Sequence, residues 1–227
     1  MTITPVQLYN QLLDHFHHQD WWPIDAAYHK RHNSDPRFEI IIGAILTQNT
    51  AWTNVEKALR NLKDHNALTI TTINSLDEQT LKKLIQPSGF FNQKAHRLRL
   101  FTRYLHERYQ DSLTTFFTQD TDKLRHELLL VKGIGPETAD SILLYAGNHL
   151  VFVVDAYTRR ICTRLPLSST QDSYDAIQEY FEHHLPEKVL VYKELHALIV
   201  MLAKNYCRKK TPLCDSCPIA LFCEKRL

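Results

Sequence analysis

Hydrophobic residues recur along the chain at spacings of three and four, which is the periodicity of an α-helix. One predicted helix covers 94–108, and its apolar face consists of Ala95, Leu98, Phe101 and Leu105. A second predicted helix leads into a group of cysteines and carries an apolar stripe made of Leu190, Val191, Leu195, Leu198, Ile199 and Leu202. The sequence lacks convincing strand alternation. The pattern therefore predicts an all-α protein.

A third helix is predicted to be buried on nearly all sides. The pair Asp35-Pro36 is typical of an N-cap followed by proline at the first helical position. The residues that follow are almost all apolar, namely Phe38, Ile40, Ile41, Ile42, Ala44, Ile45 and Leu46. Because such a helix has no polar face to expose, we expect it in the core.

Composition supports a helical protein with one large or two modest domains. The chain has 227 residues, of which 44% are hydrophobic and 23% charged, an ordinary globular balance. It contains five glycines, whereas average usage would give about sixteen. So few glycines disfavour the tight hairpins of a β-sandwich or barrel.

The overall charge is too mild to identify a partner. The net charge is +2, from 27 basic and 25 acidic residues. The helix over 94–108 is locally basic, with Lys94, Arg97, Arg99, Arg103 and Arg108 against Glu107. We interpret it as a solvated face unless other features indicate DNA. No apolar run approaches the ~18 residues of a membrane span, and the N-terminus lacks a signal-peptide pattern, so we expect a cytoplasmic protein without membrane contact.

The segment 128–139, LLLVKGIGPETA, has the pattern of a helix, a tight turn and a second helix that begins at Pro136. Glycines in the turn allow positive φ and let the backbone approach another molecule. The exposed amides of the turn and helix start suit a phosphate oxygen. The candidate DNA contacts are Lys132, Gly133, Ile134, Gly135 and Thr138, with Ile134 packed inward. An ordinary glycine-capped connection between helices is the alternative.

An acidic residue ends the apolar run that follows this segment. Asp155 comes directly after Val151-Phe152-Val153-Val154. It is either a helix N-cap or a partly desolvated carboxylate that stabilises positive charge developing on a sugar.

Four of the five cysteines fall close together near the end of the chain. Cys207, Cys214, Cys217 and Cys223 have the spacing C-x6-C-x2-C-x5-C. Zinc sites more often use two short C-x2-C pairs, and disulfides are rare in a reducing compartment. An iron–sulfur cluster accepts such uneven spacing. Cys162 lies outside the set and is predicted to be a buried thiol.

Together, the GIGPETA turn, the VVDAYTRR aspartate and the cysteine loop resemble the endonuclease III superfamily of helix-hairpin-helix DNA glycosylases, from about Trp21 to Cys223. The resemblance implies two helical domains, residues 31–139 and residues 1–30 with 140–227, and a DNA cleft. It also implies a four-iron–four-sulfur (4Fe-4S) cluster on the loop 207–223, with a monovalent cation at the hairpin as a further candidate. The implied partner is double-stranded DNA with damaged bases, and the expected protein is a nucleoid-associated, prokaryotic-type monomer.

One departure from the family pattern bears on the chemistry. Bifunctional members carry a lysine two residues after the second hairpin glycine, and here that position is Glu137. A carboxylate cannot form a Schiff base with the sugar. The sequence therefore predicts a monofunctional enzyme without abasic-site lyase activity, in which Asp155 is catalytic and water is the nucleophile.

The segments WWP, LTQNTAW and SGFFNQKA resemble the 3-methyladenine DNA glycosylase branch. A cationic alkylated purine is a good leaving group, and aromatic walls suit it through cation–π contact. We expect Trp52 and one of the pair Trp21 and Trp22 to line the base pocket, although three tryptophans can also fill a core. Lys204 is a further pocket candidate.

The string Leu46-Thr47-Gln48-Asn49-Thr50 matches a DNA-contacting loop of the family. Gln48 aligns with the residue that fills the gap left by the flipped base, and Asn49 is a second candidate contact. Taken alone, Gln48 can also be an ordinary polar residue at a helix end.

The leading hypothesis is thus removal of alkylated purines, chiefly 3-methyladenine. One alternative is a monofunctional or weakly bifunctional glycosylase for uracil, mismatched or oxidised bases. A second is a non-catalytic DNA-binding protein that retains the hairpin and the cluster.

Overall fold

The computed structural model describes residues 3–165, 167, 169 and 171–223, and these residues form thirteen α-helices and no strand. The all-α class predicted from the sequence is confirmed. The chain divides into two compact units, Trp22–Gly147 and a second one made of Met1–Trp21 with Asn148–Leu227. These boundaries differ from 30/31 and 139/140, because Glu39 binds His29 and a π-helical turn continues the helix after the hairpin within the same unit.

The unit Trp22–Gly147 contains nine of the helices. In chain order they are α2 (Ala26–His32), α3 (Pro36–Leu46), α4 (Trp52–Asp64), α5 (Ile70–Ser75), α6 (Glu78–Ile85), α7 (Phe91–Tyr109), α8 (Leu113–Phe117), α9 (Thr121–Leu130) and α10 (Pro136–Ser141). A 3-10 turn, Gln86–Ser88, precedes α7, and the π-helical turn Ile142–Ala146 follows α10.

Helix α3 lies at the centre of this unit, as its apolar sequence predicts. The Asp35 carboxylate caps it by accepting a backbone amide at 2.9 Å. Every residue over 38–46 is buried, including one charged residue, Glu39. The Glu39 carboxylate is hydrogen-bonded to the His29 Nε2 at 2.8 Å and accepts a hydrogen bond from the Lys63 Nζ at 3.0 Å. These bonds compensate the buried charge and connect α2 and α4 to α3.

Helix α7 has the predicted apolar face, and Arg103 and Arg108 are exposed as expected, but Lys94, Arg97 and Arg99 do not belong to a solvated face. Lys94 is fully buried, and its Nζ donates to the carbonyl oxygens of Leu46 at 2.8 Å and Ser88 at 2.7 Å. Arg99 donates to the carbonyls of Asn74 and Leu76. The reason is that the C-terminal ends of neighbouring helices lie against α7, and their last backbone carbonyls need hydrogen-bond donors.

The other unit contains α1 (Pro5–Phe16), α11 (Ala156–Arg164), α12 (Tyr174–His184) and α13 (Val189–Asn205). Helix α13 packs against α1 and α11. Its predicted stripe is buried from Leu195 onward, but Leu190 is 78% exposed because it lies in the first turn, before the helix enters the core. Within the described residues, no helix combines the length and hydrophobicity needed to cross a membrane.

Candidate functional site

The segment after α9 forms a helix-hairpin-helix. Gly133 has φ of 90°, in the left-handed region that favours glycine. Ile134 is buried, as predicted, and its amide donates to the Val131 carbonyl at 2.9 Å. Lys132 and Gly133 are exposed. The hairpin therefore has an apolar anchor beneath an accessible backbone.

The two hairpin glycines have different surroundings. A Cβ added at Gly133 would lie 2.6 Å from Nε and 2.7 Å from Cγ of Arg97. A Cβ added at Gly135 would have nothing within 4 Å. Both the positive φ and the packing against Arg97 therefore require glycine at 133, whereas none of the described residues fills the position of a Cβ at Gly135.

Gln48 is bound to the hairpin. Its Nε2 donates to the Gly133 carbonyl at 3.0 Å and to the Thr138 hydroxyl at 2.9 Å. Arg97 donates to the Gln48 Oε1. The Thr138 side chain is buried, while Asn49 is exposed and has φ of 54°. The structure thus gathers Gln48 and Thr138 at the hairpin.

Two of the three tryptophans lie together in this unit. The Trp22 ring centroid is 5.2 Å from that of Trp52 and 5.3 Å from that of Tyr145, both in edge contacts. Gly43 of α3 lies beneath Trp22, since a Cβ there would be 3.1 Å from the indole. We call Trp22, Trp52 and Tyr145 the aromatic cluster. Tyr145 is not recognisable as a member of this cluster from the sequence, because its position depends on a π-helical turn that the pattern of apolar residues does not reveal.

Trp21 and Lys204 belong to the other unit. The Trp21 ring lies edge-on to His196, with centroids 6.1 Å apart. Lys204 is exposed in the last turn of α13. Within its own unit Trp21 contacts His196, whereas the contacts that define the aromatic cluster are those of Trp22 with Trp52 and Tyr145.

Asp155 is the N-cap of α11 and has a mostly buried carboxylate, with 13% of the side chain exposed. Its Oδ1 accepts the Thr158 amide at 2.7 Å, and its Oδ2 lies 3.6 Å from the His196 Nε2. Burial raises the pKa of Asp155, but His196 and Thr158 together outweigh burial and hold that pKa below its usual value. The carboxylate is therefore ionised at neutral pH. His196 was missed because its role depends on a contact between distant helices.

The four cysteines of the loop line one small cavity with apolar neighbours. Among the described residues, no three His, Cys, Asp or Glu side chains are placed as a ready metal-ligand set. Burial raises the pKa of Cys217, and the charges of Cys207, Cys214 and Cys223 raise it further. Four thiols around one cavity fit a metal–sulfur group, whose positive charge would favour their thiolates.

The last turns of α11 contact the start of this loop. Arg164 donates to the Cys207 sulfur at 3.2 Å and to the Arg208 carbonyl at 2.8 Å, and Arg160 donates to the Cys207 carbonyl at 3.0 Å. Cys162, on the same helix, is buried, and burial raises its pKa to about 12. One helix thus carries Asp155 at its start and holds the first loop cysteine at its end.

The all-α fold and the turn at Gly133 and Gly135 between two helices place the chain in the class of helix-hairpin-helix proteins. The family model for "HhH-GPD superfamily base excision DNA repair protein" matches residues 42–187, so the chain belongs to that superfamily and is a DNA repair glycosylase.

Relatives of known name agree with this assignment. A candidate DNA repair glycosylase of Methanocaldococcus jannaschii, MJ1434, is 48% identical over 218 residues, which cover 96% of this chain and 94% of that protein. Endonuclease III of Sulfolobus acidocaldarius is 28% identical and covers 82% of this chain and 81% of its own. The structure of H. pylori 3-methyladenine DNA glycosylase (MagIII) bound to 1,N6-ethenoadenine is 27% identical, has a TM-score of 0.71, and covers 89% and 98% of the two chains.

Proposed function

We propose that this protein is a monofunctional glycosylase that removes alkylated purines, chiefly 3-methyladenine, from double-stranded DNA and leaves an abasic site. The observation that carries the proposal is the aromatic cluster, in which Trp22 contacts both Trp52 and Tyr145. Electron-rich rings attract a cationic base, and tryptophan does so best. The similarity to a 3-methyladenine glycosylase adds support.

The hairpin would bind the DNA backbone. The open space beside Gly135 and the exposed Lys132 suit a phosphate, to which the first-turn amides of α10, including that of Thr138, can donate. Ile134 would anchor the turn, and Gly133 would supply its bend. A monovalent cation at the hairpin is part of the same proposal. Gln48 and Asn49 would contact the DNA from the loop after α3.

Asp155 would carry the chemistry once the damaged nucleotide is flipped out of the duplex. The bond between C1′ and N9 breaks, and its electron pair neutralises the alkylated purine, which leaves without a general acid. The ionised carboxylate stabilises the oxocarbenium-like sugar. A water oxygen then bonds to C1′, and its proton passes to Asp155.

Glu137 is the reason why we propose hydrolysis without strand cleavage. It lies exposed in the first turn of α10, at the position where bifunctional relatives have their lysine. A carboxylate has no amine to form the imine that precedes β-elimination. Lys132 precedes the hairpin glycines and would have to act from a different position.

Cys207, Cys214, Cys217 and Cys223 would hold a 4Fe-4S cluster. Their common cavity and uneven spacing fit this group better than a zinc site with paired short spacings. When bound, the cluster supplies a structural cross-link for the loop 207–223. Base excision is carried out by the residues named above.

A second candidate is a glycosylase for uracil, mismatched or oxidised bases. The observation that favours it is the similarity to a protein named endonuclease III. It requires polar groups that match the edge of a neutral base. A non-catalytic DNA-binding protein would need Asp155 only as the N-cap of α11, and the second carboxylate oxygen would have no part in its function.

The test is a panel of duplexes that contain 3-methyladenine, uracil, a thymine mismatch or an oxidised purine, with free bases quantified by chromatography. We expect release of 3-methyladenine, its loss in Trp22→Leu, and a smaller effect in Trp21→Leu. Asp155→Asn should bind abasic-site DNA and release no base. Faster release of uracil or thymine than of 3-methyladenine would favour the second candidate.

A further inference from the structure

We infer that His196 is a positioning residue for the proposed reaction, and that its imidazole orients the Asp155 carboxylate. The inference rests on the proposed function, because it assigns Asp155 to the chemistry. The residue lies on α13, far from Asp155 in sequence, and belongs to none of the motifs described above.

The two oxygens of Asp155 are held differently. The Thr158 amide fixes Oδ1 at 2.7 Å, as in any N-cap. The Oδ2 faces the His196 Nε2 at 3.6 Å. A helix cap needs only the first of these contacts. The second oxygen therefore faces a side chain from another helix at an ion-pair distance.

The surroundings of His196 argue against a simple packing role. The residue is 5% exposed and its neighbours on α13, including Leu195, Ala197 and Leu198, are also buried. An apolar residue would fill this position without the desolvation cost of an imidazole. Trp21 contributes the edge of its ring, with 71° between the ring planes. The histidine is thus enclosed between an aromatic wall and the carboxylate.

The titratable groups near this pair include Cys162 and Arg159 on α11 and Glu194 on α13. Cys162 lies below Asp155 on α11, and burial keeps its thiol neutral by raising its pKa to about 12. Glu194 on α13 is engaged by the Gln19 amide at 2.7 Å and lies 3.5 Å from His18. Burial raises the pKa of Asp155, and of the groups that lower it His196 contributes most, followed by Thr158.

This arrangement matters because the proposed reaction needs an ionised carboxylate in a poorly solvated place. Without His196, burial would favour protonation of Asp155, and a protonated acid neither stabilises a cationic sugar nor accepts a proton from water. The imidazole would thus extend activity to lower pH and would fix the direction in which Oδ2 points.

The test compares His196→Phe, His196→Gln and the control His18→Gln, whose side chain is 67% exposed. Single-turnover release of 3-methyladenine is measured between pH 5 and 9, together with affinity for abasic-site duplex and the melting temperature. We expect His196→Phe to lose about 10- to 100-fold in rate, the range of a hydrogen bond to a charged group. Its acid limb should move to higher pH, while abasic-site affinity stays within about twofold.

His196→Gln should recover part of the rate, because its amide can donate to Oδ2, but it should keep the shifted acid limb. The control should match the wild type. An unchanged rate and pH profile in both His196 variants would overturn the inference. If Asp155→Asn is also fully active, the proposed mechanism itself fails, whereas an inactive Asp155→Asn beside fully active His196 variants refutes the positioning role alone.

Discussion

Replacing Gly133 by alanine should destabilise the hairpin through two separable effects. The φ of 90° is unfavourable for any residue with a Cβ, at ~1–2 kcal/mol. The added Cβ would also lie 2.6 Å from the Arg97 Nε and would displace that side chain. Arg97 would then lose its bond to Gln48, a charged hydrogen bond of about 1.5–3 kcal/mol. The two effects together amount to ~2.5–5 kcal/mol.

Urea denaturation of a double-mutant cycle measures these effects separately. In an Arg97→Ala background the side chain that Cβ would displace is gone, so Gly133→Ala should cost only ~1–2 kcal/mol there. Gly135→Ala is the matched control, because its Cβ meets nothing within 4 Å. As an N-cap change it should cost at most about 1 kcal/mol, yet it should weaken DNA binding by occupying the space proposed for a phosphate.

Two results would refute this reasoning. If Gly133→Ala costs the same free energy of unfolding in the wild-type and Arg97→Ala backgrounds, the added Cβ does not displace the Arg97 side chain. Unchanged stability of Gly133→Ala would show that the left-handed turn is absent in solution.

Three further predictions concern other parts of the chain. Burial and the charge of Arg97 lower the pKa of Lys94 from 10.5 to about 8. The unfolded chain therefore binds this proton more tightly than the folded protein does. The free energy of unfolding should thus rise with pH between about pH 8 and 10.5. In urea denaturation at a series of pH values, Lys94→Met should lose up to about 3 kcal/mol of this increase in the free energy of unfolding. The same pH dependence in Lys94→Met and wild type would contradict the lowered pKa. In protein that carries the proposed cluster, Arg164→Met should release iron to a chelator roughly ten times faster than the wild type, because it lacks the bond to the Cys207 sulfur. Arg164→Lys should be intermediate, and equal rates would contradict this role of Arg164. Gly43→Ala should push the Trp22 indole by a few tenths of an ångström from its 3.1 Å contact distance and slow 3-methyladenine release several-fold at unchanged abasic-site affinity; unaltered release would separate Trp22 from the base pocket.

Local chemistry made parts of this structure predictable. Asp35-Pro36 begins α3 as expected, since capping depends on neighbouring residues. The periodic apolar residues of α7 are buried, and the glycines of the hairpin produce its turn. Asp155 caps α11 because an acid at the end of an apolar run can accept the next free amides.

Contacts between distant segments were not predictable in the same way. Lys94 is part of a basic sequence, and only the carbonyl ends of other elements explain why it is buried. His196 and Tyr145 lie within apolar runs and gain significance from Asp155 and Trp22. Such pairings depend on tertiary packing, which the periodicity of one helix does not encode.

The most direct test of the central claim is one incubation of the purified protein with methylated duplex DNA. Free bases are quantified by chromatography, and strand breaks are counted before and after alkali. For a monofunctional alkylpurine glycosylase we expect as many moles of free 3-methyladenine as of alkali-labile sites, and no strand breaks before alkali. Breaks before alkali would contradict the role assigned to Glu137, and intact DNA without released base would contradict the alkylpurine activity itself.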